Sequence, residues 1–457
     1  MHPDTARLAP TLVMAGGVGA TLLVGIAAVI AGPEILELAL AGLLVIGALA
    51  LAIQRPSRAA HIIVVVAVLD RNIPFEFDRL RLTTTVVLAL ALSPILLWSA
   101  LRSGRVTALQ KAAVAAIGVG LVGAALLAPE PALSAIGTGR WLLALLFLLA
   151  VIGFTSSEIN FARSFMQTIV FAGAISGAFG LLQRAGVYLV VGAPYNPGVY
   201  DSTFGYYSNF AQFEAVVAVV GLGLTLQRAG GSLSRRTVVA AAALLAAVSV
   251  LASDSRGAVV SMGVGFVVVI AVTARRRARA FAAAVAVAGG LALSLRMGWF
   301  DTTFDRFATA QGGDNVRAQL QAAGFELLRS HPFGIGFESF STFVASGVVT
   351  AERALSHAHN TYVQVGLDAG LLGLAGFLVL LAHVAVTLLR CPADDARVPA
   401  AAAVFGVAIQ FTQDYFFFEF ASLTLFVAVL GVAVARRPAQ GDQIASTAST
   451  TSLQNSS

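Results

Sequence analysis

Long apolar stretches separated by short arginine-bearing connectors run along almost the whole chain. A spanning helix needs about 20 mainly apolar residues. Runs near that length occur at 11–31, 34–53, 83–101, 111–128, 139–155, 162–186, 209–228, 236–253, 257–274, 280–297, 362–389, 398–413 and 420–435. A further stretch, 59–70 (AAHIIVVVAVLD), is apolar but short. The pattern predicts an all-α fold: a polytopic integral membrane protein with about 12–14 transmembrane helices.

The connectors set the orientation. Arg55 with Arg58, Arg102 with Arg105 and Lys111, Arg228 with Arg235 and Arg236, Arg275 to Arg279, Arg390 with Arg397, and Arg436 with Arg437 are the basic groups. Basic loops stay cytoplasmic. From Arg228 onward this labelling is self-consistent, with the tip between helices 236–253 and 257–274 outside. Between Arg55 and Arg102 an even number of crossings is required, yet only 83–101 has full length. Residues 59–70 must supply the other crossing, as a short span extended by its flanks or as a re-entrant piece buried in protein.

The expected organisation is therefore transmembrane helices with short loops over 1–297, including one medium outer loop at 187–208. A long outer loop follows at 298–360, then C-terminal transmembrane helices at 361–436 and a disordered cytoplasmic tail at 437–457, which is rich in Ser and Thr. The first apolar run reads as a spanning helix rather than a removed signal peptide.

Composition supports lipid as the solvent. The chain is 58% hydrophobic and 11% charged, against roughly 25% charged in soluble domains. A single cysteine, Cys391, excludes a disulfide framework or a cysteine metal site. The net charge of +6 sits in the connectors, so it is no nucleic-acid signal.

Candidate chemistry gathers outside. In Asp254-Ser255-Arg256-Gly257, Arg256 lies at a hairpin tip between apolar helices. It either pairs with Asp254 and caps helix ends, or presents a guanidinium to an anion such as phosphate. In the long loop, 315–330 reads as an amphipathic helix, with Val316, Leu320, Ala323 and Leu327 on one face; it carries Arg317, which is either solvated or functional. His331–Phe340 (HPFGIGFESF) is a Gly/Pro turn. Then come His357, His359, Asn360 and Tyr362. Two histidines two apart would point to different faces of a helix, so no metal site is expected. His359 beside Asn360 is either a hydrogen-bonded helix start or a general base near neutral pH.

The ordered set resembles the O-antigen ligase-like family, which includes O-antigen ligases, O-antigen polymerases and pilin oligosaccharyltransferases. The resemblance rests on Ser255-Arg256-Gly257, on Arg317 followed by His331-Pro332-Phe333-Gly334-Ile335-Gly336 and Phe340, and on His359-Asn360-Thr361-Tyr362 followed by Gly370-Leu371-Leu372-Gly373. Asn209-Phe210-Ala211 resembles the start of an earlier family helix. Many relatives carry an arginine just before that segment; Val199–Phe204 has none, which puts in doubt a donor contact from loop 187–208.

The resemblance implies a GT-C-like membrane glycosyltransferase of the bacterial inner membrane, its site facing the periplasm. The donor would be a glycan on an undecaprenyl-type diphosphate, held by Arg256 and Arg317. His359 would be the base that activates an acceptor hydroxyl, with Asn360, Asn209, His357 and Asp254 in support. Transfer would invert the anomeric carbon, with no cofactor or metal. The acceptor would be a glycan or lipid A–core for a ligase, or a growing glycan for a polymerase. A lipid-linked glycan transporter is the competing class. Its signature would be ionisable groups at mid-membrane, for which Glu214 and Asp368 are candidates.

Overall fold

The computed structural model describes residues 33–69, 72–77, 80–187, 202–204, 206–227, 232–273, 312–347 and 357–437. The expectations for helix 11–31, most of loop 187–208, the cluster Arg275 to Arg279, helix 280–297, the loop portions 298–311 and 348–356, and the tail from 438 lie outside those residues.

The described chain is a bundle of helices: α1 (Pro33–Gln54), α2 (Pro56–Val68), α3 (Thr84–Arg102), α4 (Ala108–Leu127), α5 (Pro131–Ser157), α6 (Phe161–Arg184), α7 (Tyr207–Leu226), α8 (Leu233–Ala252), α9 (Arg256–Thr273), α10 (Gly312–Ser330), α11 (Phe340–Ala345), α12 (Thr361–Arg390), α13 (Arg397–Gln410) and α14 (Phe420–Val434). Eight are long and apolar enough to cross a membrane, and four further apolar helices are shorter. The protein is a polytopic membrane protein. One small antiparallel hairpin, β1 (Asn72–Phe77) with β2 (Leu80–Thr83), joins α2 to α3.

Local sequence explains where helices start. Thr107 and Gln110 form a reciprocal capping box at α4, Ser232 caps α8, and Pro56 and Pro131 occupy first-turn positions where no N–H is needed. The proline at 131 lets α5 begin eight residues before its apolar run, through the Gly-containing stretch 134–139.

Contacts sort the helix ends into two groups. At one end the Gln110 side chain donates to the Val434 carbonyl (2.7 Å), Arg397 to the Ala435 carbonyl (2.6 Å), and Arg163 to Gln227 (2.9 Å), which in turn donates to the Asp395 carbonyl (2.8 Å). This end also carries Arg102, Arg105, Arg235, Arg236 and Arg436. At the other end the Thr361 N–H donates to the Phe411 carbonyl (2.7 Å), Gln183 to the Ser202 carbonyl (3.1 Å), and Thr203 to the Val68 carbonyl. That last bond places the end of α2 beside the start of α7, so thirteen residues do run from the arginine end to the opposite one. The short apolar stretch forms a helix of thirteen residues that leads into the β hairpin.

The amphipathic helix forms as its pattern predicts. Leu320, Ala323 and Leu327 of α10 are buried in a second small core with Ile335, Phe340, Ala358, Val363 and Leu367. This core packs α10 against the start of α12.

α12 is broken at Gly370, whose φ of 66° and ψ of 177° are non-helical. The break orphans the Leu367 carbonyl and the Leu371 N–H, which an unbroken helix would pair. The turn after α10 replaces both: Ile335 N–H donates to the Leu367 carbonyl (2.7 Å) and Leu371 N–H to the Pro332 carbonyl (2.8 Å). Glycine is required here. A Cβ on Gly370 would lie 2.8 Å from the Phe333 carbonyl group, in a backbone region closed to other residues. The two glycine-bearing motifs of the sequence, 331–336 and 370–373, are thus halves of one joint.

Candidate active site

Residues 357–360, immediately before α12, carry His357 and His359, and they are not helical. His359 has φ +48°, an uncommon conformation for a residue with a side chain. Several contacts hold it. Gln321 of α10 donates to the His359 carbonyl (2.9 Å) and to the Thr412 carbonyl (3.2 Å). Gln364 accepts from the Ala358 N–H (2.9 Å) and donates to Asp368 (2.7 Å), whose other oxygen accepts from the Tyr415 hydroxyl (3.1 Å). Asn360 caps α12, accepting from the Val363 N–H (3.1 Å). Its structural role accounts for the Asn beside the His.

The His359 ring meets a group that the sequence reading missed. Its Nδ1 lies 3.1 Å from Asp414 Oδ1, in the turn after α13. The same oxygen accepts from the Tyr415 N–H (2.9 Å). A carboxylate there fixes Nδ1 as the protonated nitrogen and leaves Nε2 as a base. The Asp414 carboxyl is largely buried, which alone would raise its pKa. The hydrogen bond and charge of His359, the Tyr415 N–H and His357 outweigh burial and hold it below its ordinary value. The only sequence signal was an acidic residue stranded between apolar α13 and α14.

His357 stands against His359, with ring centroids 4.3 Å apart. Its Nε2 is 3.9 Å from Asp414 Oδ1. Burial, then the neighbouring His359, push its pKa down to about 4, with Arg317 acting the same way and Asp414 opposing. The helical-spacing argument against a metal cluster does not apply to this turn: donor atoms of His357, His359 and Asp414 all lie within 4.8 Å of one another.

Both arginine segments come to this end. Arg317 precedes Gln321 by one turn and Gly324 by two, and Gly324 abuts Ala358 and Val363. Its charge is felt at His357 and at Tyr206, the residue before α7, where Asp414 is felt too. Arg256 opens α9. The next residue, Gly257, packs so closely on α13 that a Cβ would collide with the Gln410 side chain. The Gln410 carbonyl accepts from the Asp414 N–H (3.2 Å), so the arginine hairpin abuts the turn that holds the base pair. Capping of α9 falls to Ser255, which accepts from the Ala258 N–H (3.4 Å). Asp254 forms the tip with φ +59°. Arg184, at the end of α6, also reaches this hairpin and donates to the Ala252 carbonyl.

Asn209 lines a pocket between α7, α13 and α14 whose lining does not include the histidines. Asn209, Gln212 and Ser422 are its polar lining, and Phe213, Val404, Phe411, Phe417 and Phe426 are among the apolar residues. Phe411 and Phe416 flank Asp414 in sequence, so the pocket adjoins the candidate base. The two mid-membrane candidates are enclosed: Asp368 is used by Gln364 and Tyr415, and Glu214 is fully buried beside Gly177 and Ser249.

Residues 241–378 match the family model described as O-antigen ligase. The match spans Arg256, Arg317, the 331–336 turn, His359 and Gly370. Over those residues the chain is similar to the O-antigen ligase family. The match supports a membrane glycosyltransferase of the O-antigen ligase and polymerase family. No curated protein matches the chain.

Proposed function

We propose that this O-antigen ligase-like protein moves a glycan from an undecaprenyl-type lipid diphosphate to an acceptor hydroxyl, acting as a polysaccharide ligase on the periplasmic face of a bacterial inner membrane. The observation that carries the reading is the His359–Asp414 pair at the bundle end shared with Arg256 and Arg317. His359 Nε2 takes the proton of the acceptor hydroxyl as that oxygen attacks the anomeric carbon. The bond to the diphosphate breaks on the opposite side, so the carbon inverts. Asp414 stabilises the imidazolium that forms. Arg256 and Arg317 meet the negative charge that develops on the leaving diphosphate, which needs no metal for this.

The sidedness is supported by the separation of the arginine connectors from the site, since basic loops stay cytoplasmic. The apolar pocket beside Phe411 is suited to part of a lipid-linked donor. In the proposed organisation, α10 and the following turn belong to an outer loop, 298–360, between transmembrane segments 1–297 and 361–436.

The test uses purified protein, a lipid-diphosphate-linked oligosaccharide and a panel of acceptors, with release of lipid diphosphate as the readout. Transfer that requires His359 and persists in chelator is the expected result. Transfer to a growing glycan alone would reassign the chain to the polymerases. Donor binding with no turnover on any acceptor would refute the transferase and favour a lipid-linked glycan transporter.

A further inference from the structure

We propose that His357, His359 and Asp414 form a binding site for Zn²⁺, and that its occupancy switches the transferase off. The donor set is two imidazoles and one carboxylate, which suits zinc and excludes magnesium or calcium as preferred ions. Zinc bonds of about 2.0–2.2 Å to nitrogen and oxygen put tetrahedral ligand atoms roughly 3.4 Å apart. The His359 Nδ1 to Asp414 Oδ1 distance of 3.1 Å and the His357 Nε2 to Asp414 Oδ1 distance of 3.9 Å bracket that edge. The widest separation in the set is under 4.8 Å, which a small ring rotation closes.

The surroundings fix the ligands. Gln364 anchors the Ala358 backbone between the two histidines, and Tyr415 N–H anchors the carboxylate. The His357 and Asp414 side chains are 19% and 12% exposed, so a hydrated ion can reach them. Three protein ligands leave a fourth position for water. Arg317 faces the cluster from α10 and opposes a cation, while the Asp414 charge offsets it. A metal on Nδ1 displaces the His359–Asp414 hydrogen bond and turns the imidazole away from the geometry of a base. The inhibitory consequence rests on the transferase reading; the binding itself does not.

The experiment uses full-length protein in detergent, freed of any affinity tag and stripped with chelator, titrated with Co²⁺ as a visible stand-in. The expected result is one equivalent bound with intense four-coordinate bands, displaced by Zn²⁺, and at least tenfold weaker in both His357→Gln and Asp414→Asn. Zn²⁺ should abolish lipid-diphosphate release, chelator should restore it, and the inhibiting concentration should rise at least tenfold in His357→Gln relative to that variant's own metal-free rate. Carbethoxylation of His357 and His359 in the wild type, read by mass spectrometry, should be blocked by Zn²⁺; this arm holds even where a variant misfolds. Absence of Co²⁺ bands in the wild type, or unprotected histidines, would overturn the site. Co²⁺ binding with no glycan transfer would uphold the site and refute the transferase separately.

Discussion

Replacing Asp414 with Asn isolates the role of its charge. The amide keeps the shape of the side chain, and its oxygen can still accept from His359 Nδ1, now at 3.1 Å, and from Tyr415 N–H, now at 2.9 Å. What is lost is the negative charge beside the imidazolium formed in the transition state. A hydrogen bond to a charged group contributes about 1.5–3 kcal/mol and a neutral one about 0.5–1.5 kcal/mol. The difference, about 1–2 kcal/mol, corresponds to a fall of roughly 5–30-fold in kcat. Because Asp414 touches the base and not the diphosphate, the KM for donor should change by less than about threefold. Pre-steady-state release of lipid diphosphate, with melting temperature as the control for folding, measures both. A variant with wild-type kcat, or one impaired only in KM, would refute the base–carboxylate pair.

Arg256→Lys should lower kcat/KM by roughly 10²-fold, since an ammonium cannot offer the planar fork to a developing diphosphate; full activity would make the arginine structural. Gly370→Ala should cost about 1–3 kcal/mol for the forced backbone conformation, with further loss from the 2.8 Å approach to Phe333; an unchanged melting temperature in detergent would contradict the joint described for α12. His357 sets a pH window. Its pKa falls from 6.5 to about 4 on folding, so between those values the unfolded chain binds more protons and stability drops as pH drops, by up to about 1.4 kcal/mol per unit. Asp414, held low, adds its loss only below the ordinary carboxylate range. Melting temperature should fall from pH 7 to pH 5, and fall less in His357→Gln; equal slopes would assign the effect elsewhere.

Much of this was legible from hydrophobic pattern because lipid leaves the backbone little choice but helix. The runs 83–101, 209–228, 236–253 and 362–389 became helices within about three residues of their predicted ends. Val316, Leu320, Ala323 and Leu327 gave the buried face of α10 because its period survives in a polar loop. The β hairpin at 72–83 escaped notice because it was absorbed into the problem of an apolar stretch too short to span. Asp414 was hard to read because its partner is 55 residues away and its one local mark is its place between two apolar runs. Helical spacing does not describe His357 and His359, because they lie in a turn in which His359 takes a positive φ.

The broken turn at Gly370 also constrains how the protein is made. Inside hydrocarbon, the bare Leu367 carbonyl and Leu371 N–H would each cost several kcal/mol. Residues 332–336, which satisfy them, are synthesised before α12. With the site end outside, as proposed, those residues must cross the membrane ahead of the helix they complete. Threading order is therefore part of the design: a chain in which the 331–336 segment followed α12 would leave the newly inserted helix with two unsatisfied groups and an incentive to straighten.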